Sequence, residues 1–322
     1  MMEKYIFHLG YPKTGTTYLQ RNIFTQLATK FSLITPEFEN VGVNIKKFRR
    51  AIQSGVIPRS TRRKLAGRPL FLSLEGLLFD SMRLWRNGSF APMNLHSALS
   101  GLRGLVPEAS AEDIAVVLYL RRQDELLHSL FAESLTFHFA PVKTLNSLDK
   151  YAQAVMEGNS QPELPGYYYT FGNTLEAVRD AFGASQVHVR YYEDLRTCPE
   201  DEVAFWSKTC GQPLRWTPGS DNTRRVDAST KKADAESLRF TLLRMKERLA
   251  PNIKLPNRLS RAFKRGLSRF EFNSPPDVVM TPELRGLLEA HFAEVNRSDS
   301  LLMEVLPPRL QVHYCGRKVP RP

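Results

Sequence analysis

A short segment near the amino terminus carries the residue types that proteins use to hold phosphate groups. Gly10 and Gly15 are five residues apart and enclose Lys13, and the segment reads Leu-Gly-Tyr-Pro-Lys-Thr-Gly-Thr-Thr-Tyr from position 9. An apolar run precedes it and a helical pattern follows it, so backbone N–H groups and the positive end of a helix dipole can converge on an anion. The glycine spacing is that of a Walker A loop, which predicts a phosphate-binding turn.

The position of the lysine distinguishes this loop from that of a nucleoside triphosphatase. A Walker A loop has lysine directly after its second glycine, whereas Thr16 and Thr17 follow Gly15 here and the lysine is at position 13. A lysine inside the loop would contact the phosphate from another side, so the loop suits a diphosphate-like anion with a different leaving group. The alternative is a strand–helix turn that binds nothing, which this combination of glycines, lysine and threonines disfavours.

The run Pro-Lys-Thr-Gly-Thr-Thr at 12–17 resembles the 5′-phosphosulfate loop of sulfotransferases that use 3′-phosphoadenosine 5′-phosphosulfate (PAPS), particularly bacterial and glycan-modifying members. The resemblance implies that PAPS is the donor, that the loop holds its 5′-phosphate and that Lys13 stabilises the leaving group. The candidate donor contacts in the loop are Lys13, Thr14, Gly15, Thr16 and Thr17.

A second candidate anion site follows the uncharged run at 114–120, where Arg121 and Arg122 are adjacent and Ser129 lies eight residues after the first arginine. A guanidinium offers a planar fork of donors that suits phosphate. The family places an arginine and a serine with this spacing on the 3′-phosphate of PAPS, which implies that role for Arg121 and Ser129. Gln123 stands where family members often have proline. The alternative is a pair of solvated arginines at a strand end.

Two further segments share features with the same family. Residues 191–195 read Tyr-Tyr-Glu-Asp-Leu and resemble a segment whose tyrosine lies near the adenosine. Tyr192 is therefore a candidate contact of the base, or else an edge-strand tyrosine packed on a helix. The segment 220–226 contains Arg224 and Arg225, and the resemblance implies that a loop at this stage of the chain closes over the nucleotide, with both arginines as candidate contacts.

Sulfuryl transfer to a hydroxyl needs a base for the acceptor proton and a cation for the leaving phosphate, and it relies mostly on positioning. Glu75 follows the apolar run 70–74, and active sites of open parallel sheets lie at such strand ends. In the glycan-modifying branch a glutamate at this place is the general base, which implies that role for Glu75; the alternative is a helix cap or a partner of a lysine. We expect no metal, and we expect His8 to lie in the core.

These residues need a sheet that brings strand ends together. Apolar runs at 5–9, 70–74, 114–120 and 187–192 predict strands, and helical patterns between them predict an α/β fold. We expect a P-loop-type, mainly parallel central sheet flanked by helices, in a single domain over 1–322. Acceptor-side insertions are expected at about 40–69 and 212–275, and helices at 16–30, 124–139, 231–249 and 282–305.

The 322 residues carry a net charge of +12, which favours a polyanionic partner. Residues 40–74 contain nine Lys or Arg and no acid, and residues 249–270 contain six. The second stretch has the pattern of a basic amphipathic helix at a membrane surface, and equally that of a helix packed on the core. We expect PAPS and an anionic acceptor, such as an acidic saccharide or a lipid-linked molecule, as partners, and no nucleic acid.

No run of eighteen apolar residues occurs, the first apolar run is too short for a signal peptide, and three cysteines without metal-ligand spacing fit reduced thiols. We therefore expect a cytoplasmic, bacterial-type transferase, with peripheral membrane contact left open. Two other functions stay open. One is a P-loop kinase or NTPase in which Glu75 or Asp194 serves as the Walker B-like acid. The other is a non-enzymatic basic protein that binds nucleic acid or membrane.

Overall fold

A computed structural model describes residues 4–36, 38–74, 76–78, 95–136, 147–158, 165–216 and 279–316 of the chain. Its centre is one sheet formed by β1 (Tyr5–Gly10), β2 (Ser32–Ile34), β3 (Leu70–Ser73), β4 (Ile114–Leu120) and β5 (Val187–Tyr191). The strands lie in the order β2-β3-β1-β4-β5 and every pairing is parallel. Helices flank the sheet, so the predicted α/β class with a parallel sheet is confirmed.

Strand β2 is the one strand of this sheet that the sequence did not predict. It has three residues, all buried, and it pairs with β3 from Ser32↔Leu70 to Ile34↔Leu72. Three residues are too few to show the alternation or the apolar run by which a strand is recognised.

Strand β1 occupies the centre, with β3 on one side and β4 on the other. Tyr5 is in register with Leu70 and with Ile114, so the three strands start at one edge of the sheet and end at the other. The segments that follow these strands therefore meet at the carboxyl edge, where ligands of open parallel sheets bind.

The flanking helices within the described segments are α1 (Thr16–Asn22), α2 (Ile45–Gln53), α3 (Arg59–Leu65), α4 (Leu95–Leu105), α5 (Gln123–Thr136), α6 (Leu148–Glu157), α7 (Phe171–Phe182), α8 (Tyr192–Thr197), α9 (Pro199–Cys210), α10 (Pro282–Ser298), α11 (Ser300–Val305) and α12 (Pro308–Cys315). The expected insertion at 40–69 contains α2 and α3. The expected helix at 231–249 and most of the insertion at 212–275 lie outside the described residues. None of the described helices is long and apolar enough to cross a membrane.

The helix predicted at 16–30 is shorter than expected. It leaves the α conformation at Ile23, and a 3₁₀ helix continues over Phe24–Thr29. Tertiary contacts hold this second part, because Lys30 donates to the carbonyls of Cys210 and Gly211 at 2.9 and 2.7 Å. The apolar periodicity was therefore correct, but the single helix was wrong.

The helix predicted at 282–305 is two helices, α10 and α11. Asp299 separates them, because its Oδ1 accepts the backbone N–H of Leu302 at 3.0 Å and so caps α11. Its other oxygen accepts the N–H of Gly172 at 2.7 Å, which ties the break to α7. A side chain that competes with the helix ladder in this way ends a helix without any glycine or proline.

Both faces of the sheet are buried, and β4 has no exposed residue. One face, with Phe7 and Leu9 of β1, packs on α4, α5 and α7; the other, with Ile6 and His8, packs on α1 and α9. Full burial of such an aliphatic or aromatic side chain stabilises the fold by about 1.5–3 kcal/mol. Burial also lowers the pKa of His8 to about 3, so this residue is a neutral core histidine, as predicted.

Candidate functional site

The turn between β1 and α1 is built from two left-handed residues. Lys13 has a φ of 67° and Gly15 a φ of 80°, and the Thr14 hydroxyl donates to the Tyr11 carbonyl at 2.6 Å. Among the described residues, Lys13 is the only one other than glycine with a positive φ. Such strain costs about 1–2 kcal/mol and persists where the surroundings impose it. The turn is thus the kind of backbone nest whose N–H groups converge on an anion.

The two glycines of the turn leave no room for a side chain. A Cβ at Gly10 would lie 3.0 Å from the hydroxyl oxygens of both Thr14 and Thr16. A Cβ at Gly15 would lie 2.5 Å from Leu195 and 3.3 Å from the ring of Tyr192. The loop is therefore pressed against α8, a contact that the sequence did not predict.

Helix α1 contributes less than expected, because it has only seven residues. The helix macrodipole is the sum of the dipoles of its aligned peptide groups, so a short helix has a smaller one. The candidate groups for holding an anion are then the loop N–H groups, the half-buried Lys13 and the hydroxyls of Thr16 and Thr17, since the Thr14 hydroxyl proton is used in its bond to the Tyr11 carbonyl.

Arg121 joins the end of β4 to this loop. Its Nη1 donates to the Lys13 carbonyl at 2.9 Å, and its Nη2 donates to Glu125 at 3.0 Å. Its guanidinium lies 4.5 Å from the centroid of the Tyr192 ring. The Nε–H is buried and has no hydrogen-bond partner among the described residues. The structure therefore brings together three predicted site residues, the lysine, the arginine and the tyrosine.

The Tyr-Glu-Asp-Leu segment at the start of α8 contacts this arrangement through three of its four side chains, those of Tyr192, Glu193 and Leu195. The guanidinium of Arg121 lies over the Tyr192 ring, and Leu195 packs on the loop. Glu193 accepts the backbone N–H of Arg122 at 2.9 Å and the hydroxyl of Tyr314 at 3.0 Å, and burial raises the pKa of its carboxyl.

The third residue of the segment, Asp194, is paired with Arg309 through both carboxylate oxygens, at 3.2 and 2.6 Å, and is buried. This pairing disfavours the hypothesis that Asp194 is a Walker B-like acid, since both of its oxygens are occupied.

Arg122 has a structural role that distinguishes it from its neighbour. Its Nε and Nη2 donate to the buried Asp124 at 2.7 and 2.8 Å, and Nη2 lies 3.3 Å from Glu289 of α10. These carboxylates occupy donors of the Arg122 guanidinium, which makes it a poorer anion ligand. The resemblance alone implied this role for Arg121, and the contacts of Arg122 add a physical reason for choosing between the two.

Glu125 and Ser129 lie on the same face of α5, because residues four apart on a helix are neighbours at about 5–6 Å. Burial opposes ionisation of Glu125, but the attraction of Arg121 and its hydrogen bond hold the pKa of this carboxyl below its usual range. Ser129 is half-buried, one turn further along the helix. Its hydroxyl therefore lies on the face that carries the ion pair, and its contact with a ligand remains a prediction.

The predicted base, Glu75, lies outside the described residues, but both of its flanks are fixed. Gln20 of α1 donates to the carbonyl and hydroxyl of Ser73, at 3.0 and 2.9 Å. Arg49 of α2 donates to the Gly76 carbonyl at 2.6 Å, and Gly76 has a φ of 66°. The described backbone on either side of position 75 is thus anchored, at Ser73 by α1 and at Gly76 by α2.

Neither Gln20 nor Arg49 was singled out from the sequence. Their partners are 53 and 27 residues away, so no local pattern marks them. The predicted contacts Arg224 and Arg225, and the basic stretch 249–270, lie outside the described residues. Within the described segments, no three His, Cys, Asp or Glu side chains are grouped so that they could hold a metal ion; the metal-free reaction stays a prediction.

No protein-family model matches the sequence, and no curated protein matches it significantly. Among solved structures, the chain is similar to a sulfotransferase from Alicyclobacillus acidocaldarius, with 16% identity, a TM-score of 0.41, and coverage of 82% of this chain and 100% of that one. It is also similar to mouse sulfotransferase SULT7A1 complexed with PAP, with 12% identity, a TM-score of 0.38, and coverage of 97% and 88%. Identities and TM-scores this low do not establish a function.

Proposed function

We propose that the chain is a sulfotransferase that transfers a sulfuryl group from PAPS to a hydroxyl or amine of an acceptor. The observation that carries the proposal is the bond from Arg121 to the Lys13 carbonyl, since it couples two anion-binding elements in one site. PAPS has a 5′-phosphosulfate and a 3′-phosphate, so its protein site needs two such elements. A nucleoside triphosphate has no 3′-phosphate and would leave the second element unused.

In this proposal the loop residues Lys13 to Thr17 hold the 5′-phosphosulfate, and Arg121 with Ser129 holds the 3′-phosphate. A guanidinium has five N–H groups, of which the bonds to Lys13 and Glu125 use two. Nε–H and the remaining Nη hydrogens are left for a phosphate. Tyr192 positions this guanidinium with one face of its ring, and its contact with the adenine is part of the proposal.

The reaction is an in-line displacement at sulfur. The acceptor oxygen or nitrogen forms a bond to sulfur while the bond from sulfur to the 5′-phosphate oxygen breaks, and the electron pair stays on that oxygen. Glu75 takes the acceptor proton, and the ammonium of Lys13 stabilises the charge on the leaving phosphate. Arg224 and Arg225 cover the nucleotide in this proposal, as the family resemblance implies.

The acceptor is proposed to be an anionic glycan, a lipid-linked molecule or a small molecule, because the chain is basic overall. The proposed compartment is the cytoplasm, which fractionation of cells producing the protein would test.

Transfer of label from ³⁵S-PAPS to a panel of acid and neutral saccharides, lipid-linked saccharides, phenols and amines tests the proposal. We expect labelled product in at least one class, and a Glu75→Gln variant that binds the nucleotide normally but loses about 10²–10⁴-fold in kcat. Glu112→Gln, a change at an exposed acid before β4, is the matched control and should keep full activity. Phosphoryl transfer from Mg-ATP with no label transfer from PAPS would replace this proposal with the kinase.

A further inference from the structure

A cavity lies at the opposite edge of the sheet from the loop. It has a volume of about 500 Å³, and Tyr5 and Leu70, which begin neighbouring strands, form part of its wall. Strand β1 has six residues, and at about 3.3 Å per residue its two ends are about 17 Å apart. This cavity is therefore separate from the proposed nucleotide site.

The cavity has an apolar wall of a size that suits a small organic molecule. Leu65 of α3 and Leu105 and Val106 at the end of α4 complete the wall that Tyr5 and Leu70 begin. Sites for ligands of drug-like size commonly have volumes of about 300–1,000 Å³ and are lined mostly by apolar side chains. The cavity falls within this range.

Three arginines of α3 form the charged part of the lining: Arg59, Arg62 and Arg63. Their spacing of three and four residues places them on one face of the helix. All three are exposed, and none forms an ion pair with an acid in the described part of the chain. The lining contains one acid, Glu108.

Other basic residues of the same segment have structural partners. Lys64 donates to the Gly42 carbonyl at 2.5 Å, and Arg68 donates to the carbonyls of Ala28 and Thr29 at 3.1 and 2.8 Å. The three arginines at the cavity lack such partners, and like charges at this spacing repel one another and weaken a helix. Grouping these charges destabilises α3, and no contact among the described residues offsets that loss.

We infer that this cavity binds a phosphate monoester that carries an apolar group, with the three arginines on the phosphate and the apolar wall on the rest of the molecule. Three guanidinium groups and one carboxylate leave a local excess of two positive charges. A phosphate monoester carries about −1.5 to −2 at neutral pH, which matches this excess better than a carboxylate does. Guanidinium groups also bind phosphate oxygens through paired N–H donors.

Titration calorimetry with octyl phosphate below its micelle concentration tests the inference, with inorganic phosphate and octanol as the partial ligands. We expect octyl phosphate to bind at least tenfold more tightly than either, because each partial ligand fills one half of the site. Arg62→Ala and Arg63→Ala should each weaken binding about tenfold, the usual worth of a charge-assisted hydrogen bond. Glu108→Gln should strengthen it about threefold, since it removes a nearby negative charge.

Arg50→Ala is the matched control, because Arg50 is an exposed arginine on α2 that does not line the cavity. Its affinity for octyl phosphate should equal that of the unchanged protein, and so should that of Arg121→Ala at the other edge of the sheet. The inference would be overturned if the α3 variants bound octyl phosphate as tightly as the unchanged protein does, or if Arg121→Ala lost binding. Either result would place the ligand at the loop.

A lipid headgroup presents the same chemistry as a free phosphate monoester, and vesicles separate these two sources. Phosphatidylcholine vesicles with and without phosphatidic acid are compared by flotation, using the same variants. Binding of octyl phosphate without flotation of the protein supports a soluble ligand. Binding of octyl phosphate and of phosphatidic acid vesicles, with the same dependence on the arginines, supports a lipid phosphate. Flotation without octyl phosphate binding would overturn the inference, because a flat basic surface would then explain it.

Discussion

Arginines lie at both edges of the central sheet, and the two groups differ in what holds them. At the carboxyl edge, Arg121 and Arg122 are bound to carbonyl and carboxylate groups of the loop, α5 and α10. At the amino edge, the three arginines of α3 are exposed and without acidic partners in the described part of the chain. The first group is positioned before any ligand arrives, whereas the second keeps its rotamer freedom. Preorganisation of this kind is what positioning for a reaction requires.

The largest expected difference between the two edges is in stability. Arg122→Ala would leave Asp124, whose side chain is 2% exposed, without its close partner. Removing one member of a buried pair costs about 3–5 kcal/mol, and we expect the lower figure because Arg285 remains 3.7 Å from Asp124. Arg62→Ala should change stability by less than about 0.5 kcal/mol. Urea unfolding of both variants measures the difference, and equal costs would contradict the contrast between paired and unpaired arginines.

The loop glycine provides the next largest effect. Gly15→Ala would place a Cβ 2.5 Å from Leu195 at a φ of 80°, so we expect a loss of about 2–4 kcal/mol together with loss of nucleotide binding. Gly67→Ala is the matched control, since Gly67 has a φ of 91° with nothing within 4 Å. That variant should lose only about 1–2 kcal/mol, the cost of the backbone conformation alone. Similar losses in the two variants would show that α8 does not press on the loop.

Arg49 belongs to the basic segment 40–74, yet its guanidinium is bound at the carboxyl edge of the sheet. Its bond to the Gly76 carbonyl anchors the backbone one residue after Glu75, the proposed base, so Arg49→Ala should lower kcat about tenfold if that base is disturbed. Affinity for the nucleotide should be unchanged. Arg50→Ala, one residue along, should change neither quantity. A fall in nucleotide affinity without a fall in kcat would assign Arg49 to the donor site instead.

The smallest expected effect is a pH dependence at the carboxyl edge. Arg121 holds the pKa of Glu125 below its usual range despite burial, so the pair stabilises the fold above the unfolded pKa of about 4.3. This contribution is lost as the pH falls through the lower, folded pKa. Glu125→Gln should therefore lose less stability than the unchanged protein between pH 6 and pH 3, by about 0.2–1 kcal/mol. Parallel stability profiles of the two proteins would contradict the ion pair.

The features that the sequence predicted correctly are those encoded locally. The apolar run of β4 and the strand–helix turn at the loop glycines are each evident within a few residues, whereas ligand binding by the loop and by Tyr192 stays a prediction. The features that it missed depend on distant partners: the end of α1 at Ile23, the cap of α11 by Asp299, and the fixing of Gly76 by Arg49. The sequence distinguished Arg121 from Arg122 only by resemblance, because the contacts that separate them physically come from α8, α10 and the loop.

We propose that the loop and Arg121 form one site for a 3′-phosphorylated nucleotide. Titration calorimetry with 3′-phosphoadenosine 5′-phosphate, ADP and ATP with Mg²⁺ tests it most directly, on the unchanged protein and on Arg121→Ala. We predict that the 3′-phosphorylated nucleotide binds at least tenfold more tightly than ADP and that Arg121→Ala removes this preference, the usual effect of losing a bond to a charged group. Binding of Mg-ATP alone, or a preference that survives in Arg121→Ala, would mean that the loop and Arg121 do not form such a site.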